Sequence, residues 1–365
     1  VSDNTVALDR KTATPLIING DMQIAQRGTS TTGLTNGSSG YHTCDRWRWT
    51  EFGAPSFVFT QTQSTDVPTG QGFAKSLKLD CTTAQGSLAS GDGLRVTQRV
   101  EGQNLQYLKK GTSSAEAVTI SFWVKSDKTG TYILELFDQD NSRAISKSYT
   151  ISSSDTWEKK VVSFAGDTTG AFDNDNARSL DINWWLGVGT NYSSGTLQTS
   201  WVSNTNSNRA VGQVNLADST SNDWYITGVQ LEVGTLDSNS IPDFQFEDRA
   251  TSLARCQRYY YVHAEGSTKS IGFASNYNST LLTSQIHFST TMRSAPTAEI
   301  VTGTNYFKFF RSNGNDQFDG FSTLQASTPN SCQLDANTGI SGTQGDAGRL
   351  ITNNASAKVA FTSEL

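Results

Sequence analysis

The stretch Ala117-Val118-Thr119-Ile120-Ser121-Phe122-Trp123-Val124-Lys125 alternates without a break. Val118, Ile120, Phe122 and Val124 fall on one side of an extended chain, and Thr119, Ser121, Trp123 and Lys125 on the other. An extended strand sends successive side chains to opposite faces, so this run reads as a half-buried strand with a core face and a wetter face. Outward from it, β-type runs recur at residues 16–18, 46–50, 57–62, 76–81, 94–100, 132–137, 144–151, 157–164, 180–188 and 224–233. Turn chemistry separates them, as in Gly70-Gln71-Gly72, Gly91-Asp92-Gly93 and Lys128-Thr129-Gly130. Roughly ten strands, with connections too varied for simple hairpins, predict an all-β jelly-roll sandwich of two sheets.

The pattern changes at residues 247–261, where Asp248 is placed to cap a helix and Ala250, Leu253, Ala254, Gln257 and Tyr260 follow helical spacing. Turn residues fill 234–242, and Pro242 sets an extended entry. A second series of short runs follows at 270–274, 281–288, 299–301, 306–310, 318–324 and 357–361. The resulting division is an N-terminal arm at 1–15, a sandwich at 16–235, a connector with a short helix at 236–262, and a smaller C-terminal β domain at 263–365. No internal repeat recurs, which argues against a propeller, a solenoid or a long β-helix.

Composition narrows the partners. Across 365 residues, hydrophobic side chains make up 35%, aromatic 10% and charged 17%, and the net charge is −6. That balance suits a β-rich globular protein and lacks the basic stripe that binds phosphates, so no nucleic-acid partner is expected. No apolar run reaches the roughly 18 residues of a membrane span, and Val1-Ser2-Asp3-Asn4 does not open like a signal peptide. Cys44, Cys81, Cys256 and Cys332 include no CxxC and read as free buried thiols, with a Cys44–Cys81 disulfide left open because both flank strand-like runs.

Four strings occur in one order: Asn19-Gly20-Asp21-Met22-Gln23-Ile24-Ala25-Gln26-Arg27-Gly28, Ile120-Ser121-Phe122-Trp123-Val124-Lys125, Gly228-Val229-Gln230-Leu231-Glu232-Val233-Gly234 and Arg255-Cys256-Gln257-Arg258-Tyr259-Tyr260. Together they resemble bacteriophage tail-fibre and virion appendage proteins. The likeness touches most of the chain from Asn19 to about Pro296. It implies a carbohydrate-binding-module-like jelly roll, a short connector and a small β domain, assembled as a homotrimer on the exterior of the virion. It also implies a structural protein with a part in host attachment. A tail fibre, a capsid fibre and a neck appendage all fit, since such modules are reused. The connector Ile241-Pro242-Asp243-Phe244-Gln245-Phe246-Glu247-Asp248-Arg249 departs from the family wording.

For chemistry, His42, His263 and His287 share no metal-ligand spacing, and no GxSxG elbow occurs. Glu101, Glu135, Asp138 and Asp140 could supply a glycosidase pair, but in a chain with 34 acidic residues such availability is no evidence. Asp138, Asp140 and Asn141 lack the glycine and distal glutamate of an EF-hand loop and read as a solvated turn. The expectation is a non-enzyme without metal or cofactor. For sugar binding, Trp123 and Trp185 are the two indoles that alternation takes out of the main core, and Tyr192 and Trp201 follow in a polar loop. These four are the glycan-binding candidates, against the alternative that large rings in a sandwich belong to core or subunit contacts. In the end domain, Tyr306, Phe307, Phe309 and Phe310 crowd around Lys308. A core accounts for one alternating half, so the rest are assigned to a trimer interface or a receptor patch. The function expected is host attachment, by glycan binding; a decoration protein without receptor binding and a polysaccharide-degrading appendage are the alternatives.

Overall fold

The computed structural model describes residues 14–312 and 314–365, so the arm read at 1–15 lies almost wholly outside the described residues. The chain divides into two compact units, one reaching to Ser252 and the other spanning Leu253–Glu364.

In the first unit the described strands are β1 (Ser30–Leu34), β2 (Gly40–Tyr41), β3 (Arg48–Phe52), β4 (Val58–Ser64), β5 (Ser76–Thr83), β6 (Gly93–Glu101), β7 (Val118–Ser126), β8 (Gly130–Asp138), β9 (Arg143–Ile151), β10 (Glu158–Phe164), β11 (Arg178–Val188), β12 (Val202–Ser203) and β13 (Asp223–Val233). They make two antiparallel sheets, β1-β4-β5-β13-β7-β10 and β12-β9-β8-β11-β6-β3-β2. Strands distant in sequence, such as β5 and β13 or β6 and β11, lie side by side, which is the jelly-roll arrangement. Strand β7 behaves as its alternation requires. Its residues Val118, Ile120, Phe122 and Val124 join Phe59, Leu77 and Trp224 against Trp49, Leu94, Leu134 and Trp184 of the facing sheet. The ring of Phe122 stands edge-on to Trp184 at 5.9 Å, and Trp47 meets Trp184 at 5.3 Å. Each such side chain contributes about 1.5–3 kcal/mol by leaving water.

Residues 16–18 do not form the expected strand. Leu16 and Ile17 are buried, but the backbone of Ile18 is held by a side chain: its N–H donates to Gln98 Oε1 at 3.0 Å and its carbonyl accepts from Gln98 Nε2 at 3.0 Å. The amide of Gln98 stands in for a neighbouring strand. Strand β13 carries a bulge between Thr227 and Gln230, where two residues face one of β7. Before it Trp224 and Ile226 point to the core; after it Val229 and Leu231 do. All four cysteines are buried thiols outside any disulfide, so the bridge left open between Cys44 and Cys81 is not formed. Burial pushes the Cys81 thiol up to about 11.

The helix α1 (Arg249–Gln257) is shorter than the expected 247–261. Asp248 caps it, accepting from the backbone N–H of Ala250 at 3.0 Å and Thr251 at 3.1 Å. Its end is set by pairing: Tyr260 and Tyr261 are drawn into a strand opposite Thr362 and Phe361.

The second unit comprises β14 (Tyr260–Glu265), β15 (Ser270–Asn278), β16 (Leu281–His287), β17 (Thr297–Val301), β18 (Phe307–Arg311), β19 (Gly314–Phe318), β20 (Thr323–Gln325), β21 (Ser331–Ala336), β22 (Ala347–Thr352) and β23 (Lys358–Thr362). They form a sheet β14-β23-β17 and a larger one, β19-β18-β22-β15-β16-β21-β20. Phe307 and Phe309 are fully buried in this unit's core, which corrects their assignment to an interface or receptor patch. The other half of that run is not bare either. Tyr306 is half-buried against the core, and Phe310 is half-buried with Lys308 and Arg349 over its ring at 4.5 and 4.7 Å.

Candidate functional site

The outward side chains of the six-stranded sheet build a cleft. On β7 these are Ser121 and Trp123; Trp123 stands opposite Thr227 of β13 and Lys159 of β10, and Ser121 opposite Gln230. Two loops, carrying Gly70, Gln71 and Phe73 and then Asp243, Phe244 and Phe246, wall a space of about 280 Å³ over this patch. The three phenylalanine rings pack on one another at 4.9–5.2 Å, and Phe246 remains 48% exposed. Gln230 is only 4% exposed, and its Nε2 donates to the carbonyl of Pro242 at 2.8 Å, which fastens the second loop to the sheet. Its Oε1 is buried with no donor among the described residues. An acceptor left so costs about 1–3 kcal/mol until something donates to it. Rings that offer flat apolar faces, beside amide, hydroxyl, ammonium and carboxylate ends, suit a ligand with C–H faces and many hydroxyls.

Further along β7, Lys125 places its Nζ 2.6 Å from both Asp66 and Asp155 and 4.6 Å from the Tyr225 ring centre. The Trp157 Nε1–H donates to Asp66 at 2.9 Å. Asp127 shares a hydrogen bond with Asp223; burial first, and then that neighbour, push its carboxyl up to about 6.

The glycan candidates are not brought together. Trp123 is in the cleft. Trp185 leaves the main core as alternation requires, but on the opposite sheet, and it is 0% exposed, which corrects its reading as an open platform. A strap of residues 189–215 covers it. Tyr192 of that strap packs on Trp185 at 5.9 Å, and Arg209 holds Glu135 by two bonds, at 2.7 and 2.8 Å, with its guanidinium 5.2 Å from the indole. Glu135 Oε2 also accepts from Asn183 Nδ2 at 2.9 Å and from Trp185 Nε1 at 3.2 Å. Burial depresses the neighbouring Arg95 guanidinium to about 10, still protonated at neutral pH. Tyr192 is half-buried, its ring against Trp185 and Phe52. Trp201 is half-buried, its Nε1–H bonded to the Ala165 carbonyl at 2.8 Å and its ring 5.4 Å from Lys110 Nζ.

The acidic candidates are occupied. Glu101, Glu135 and Asp138 are fully buried. Asp138 binds Lys110 Nζ at 2.6 Å and accepts from the Asp140 and Asn141 backbone, an internal ion pair at the base of a turn whose Asp140 and Asn141 are exposed. Among the described residues no group of three or more His, Cys, Asp or Glu side chains is arranged to hold a metal ion. His42 and His263 bond backbone oxygens of Ser38 and Ile271 at 2.7 Å, and His287 is exposed. The sequence reading missed Gln230, hidden by the bulge, and Phe73. Phe244 and Phe246 lie in the connector string singled out only for its unusual wording.

No protein-family model matches this chain, and no curated protein does. Solved structures similar to it include the enzymatically active domain of tailspike protein 4 of bacteriophage CBA120, at 18% identity and a TM-score of 0.30, over 55% of this chain and 21% of that one. They also include a family 11 carbohydrate-binding module from Clostridium thermocellum in complex with a β-1,3-1,4-mixed-linked tetrasaccharide, at 11% identity and a TM-score of 0.27, over 57% of this chain and 98% of the module. A third, a module complexed with β-1,4-galactotriose, is 8% identical with a TM-score of 0.29, over 60% of this chain and 99% of its own. The chain thus spans about a fifth of the tailspike structure's length.

Proposed function

We propose that this chain is a carbohydrate-binding, non-enzymatic component of the exterior of a bacteriophage particle, acting in host attachment through the cleft at Trp123. The observation that carries the reading is the pairing of a half-exposed indole with a buried amide oxygen that has no donor. A sugar ring stacked on Trp123, with one hydroxyl donated to Gln230 Oε1, satisfies both. The virion setting rests on the ordered strings from Asn19 to Tyr260 and on nothing else, and so does a homotrimer. Trimerisation would multiply weak single sites. A non-catalytic role is supported by the burial of Glu101, Glu135 and Asp138. A second reading, a decoration protein without receptor binding, draws on the strap that seals the outer face at Trp185.

The test is titration of the full chain with neutral oligosaccharides and with host surface polysaccharide, followed by isothermal calorimetry, with release of new reducing ends measured in parallel. Trp123→Ala and Gln230→Ala are expected to weaken binding about tenfold each, equivalent to about 1.4 kcal/mol, while Trp185→Phe leaves affinity unchanged. Binding that survives Trp123→Ala intact removes the cleft. Absence of any binding favours the decoration reading, and new reducing ends would overturn the non-enzymatic one.

A further inference from the structure

The larger sheet of the second unit packs one face on Phe309, Leu334 and Leu350 and leaves the other open. On the open face of its central strand β15 stand Phe273 and Tyr277, 82% and 67% exposed. Strand β15 is paired on both sides, to β22 and β16, so it offers no backbone edge and any partner must be read by side chains. Phe273 lies opposite Arg349, and Arg349 opposite Phe310. Arg349 and Lys308 both sit over the Phe310 ring, and neither has a carboxylate partner among the described residues. In a chain of net charge −6, two unpartnered cations beside a bare ring mark a place for negative charge.

On the other side of β15, Gln285, Gln333 and Gln325 line up across β16, β21 and β20. Gln333 and Gln325 donate from Nε2 to Asp335 at 2.9–3.2 Å. Those bonds occupy the Asp335 carboxylate and leave the two amide carbonyls as acceptors for hydroxyls.

We propose that this face is a second carbohydrate-binding surface, independent of the cleft, and that its ligand is a polysaccharide bearing carboxylates. A pyranose ring lies on Phe273, its carboxylate meets Arg349 and Lys308, and the hydroxyls of adjoining sugars reach the glutamine row. A ring on a flat sheet face supplies the apolar contact, and the guanidinium supplies planar recognition of the acid.

Native gels cast with polygalacturonate, alginate or hyaluronan, and with their carboxyl-reduced forms, test this on the full chain. At least one acidic polymer is expected to retard the protein, its reduced form to retard it far less, and Phe273→Ala and Arg349→Gln each to weaken retardation about tenfold. Trp123→Ala is expected to leave this retardation unchanged, which separates the surface from the cleft. Three results overturn the proposal: no retardation by any acidic polymer, equal retardation of Phe273→Ala, which would be bare charge attraction, or a fall in oligomeric mass in Phe273→Ala, which would place a second copy of the chain on this face.

Discussion

Replacing Arg209 by Met tests how the strap over Trp185 is held. Glu135 is fully buried and takes two hydrogen bonds from Arg209, at 2.7 and 2.8 Å. Deleting the guanidinium leaves a carboxylate supported only by Asn183 and Trp185, and breaking a buried pair from one side costs about 3–5 kcal/mol. The expected loss is therefore about 3–5 kcal/mol. The double variant Glu135→Gln with Arg209→Met is expected to recover only part of the loss, because the buried Arg95 guanidinium then loses the Glu135 charge beside it. Urea unfolding gives the energies, and acrylamide quenching reports whether Trp185 has been uncovered. A loss in Arg209→Met below about 1 kcal/mol at pH 7, with the indole still shielded, would refute the reasoning.

Two other outcomes follow from the same geometry. Asp127 has its carboxyl pushed up to about 6, so the folded state takes up a proton more readily than the unfolded one; the stability this gives is present below about pH 4 and lost as pH rises through 6. Asp127→Asn, which cannot ionise, is expected to melt higher than the parent at pH 8 and level with it at pH 4, by under about 1 kcal/mol because solvent screens the site; an equal effect at both pH values would sink this. At Gly228, φ is +62° and a Cβ would lie 2.5 Å from the Phe73 ring, so Gly228→Ala is expected to lower thermal stability by about 1–3 kcal/mol. It should also weaken sugar binding at the cleft severalfold by displacing Phe73, and calorimetry finding unchanged affinity would count against the placement of that ring.

Period-two alternation is a local signal, and where it was clean, as in β7, both the strand and its inward face were legible. It failed where the pairing was not local. Residues 16–18 carry the right apolar content but are bonded by Gln98, about eighty positions away. Tyr260 and Tyr261 fit a helical spacing until β23, a hundred residues later, pairs with them. The same limit governs the site. Alternation separates Trp185 from the core, yet whether that outer face meets water depends on the strap at 189–215, whose path no periodicity encodes. Trp123 was legible as an outward ring because its strand alternates cleanly; Gln230 was not, because the bulge re-phases its strand.

That bulge has a consequence for how the cleft can change over time. Strand β13 is read in two phases, one before Thr227 and one after Gln230, and the extra residue between them is the frame marker. Flattening the bulge with every residue kept would turn Val229 outward and Gln230 into the core without altering either side chain, whereas losing one residue there would bring Ile226 and Val229 two apart and keep both inward; moving the marker along the strand would carry the polar floor with it. The cleft is thus specified by counting as much as by composition: where the extra residue sits along β13 decides which side chains form its floor.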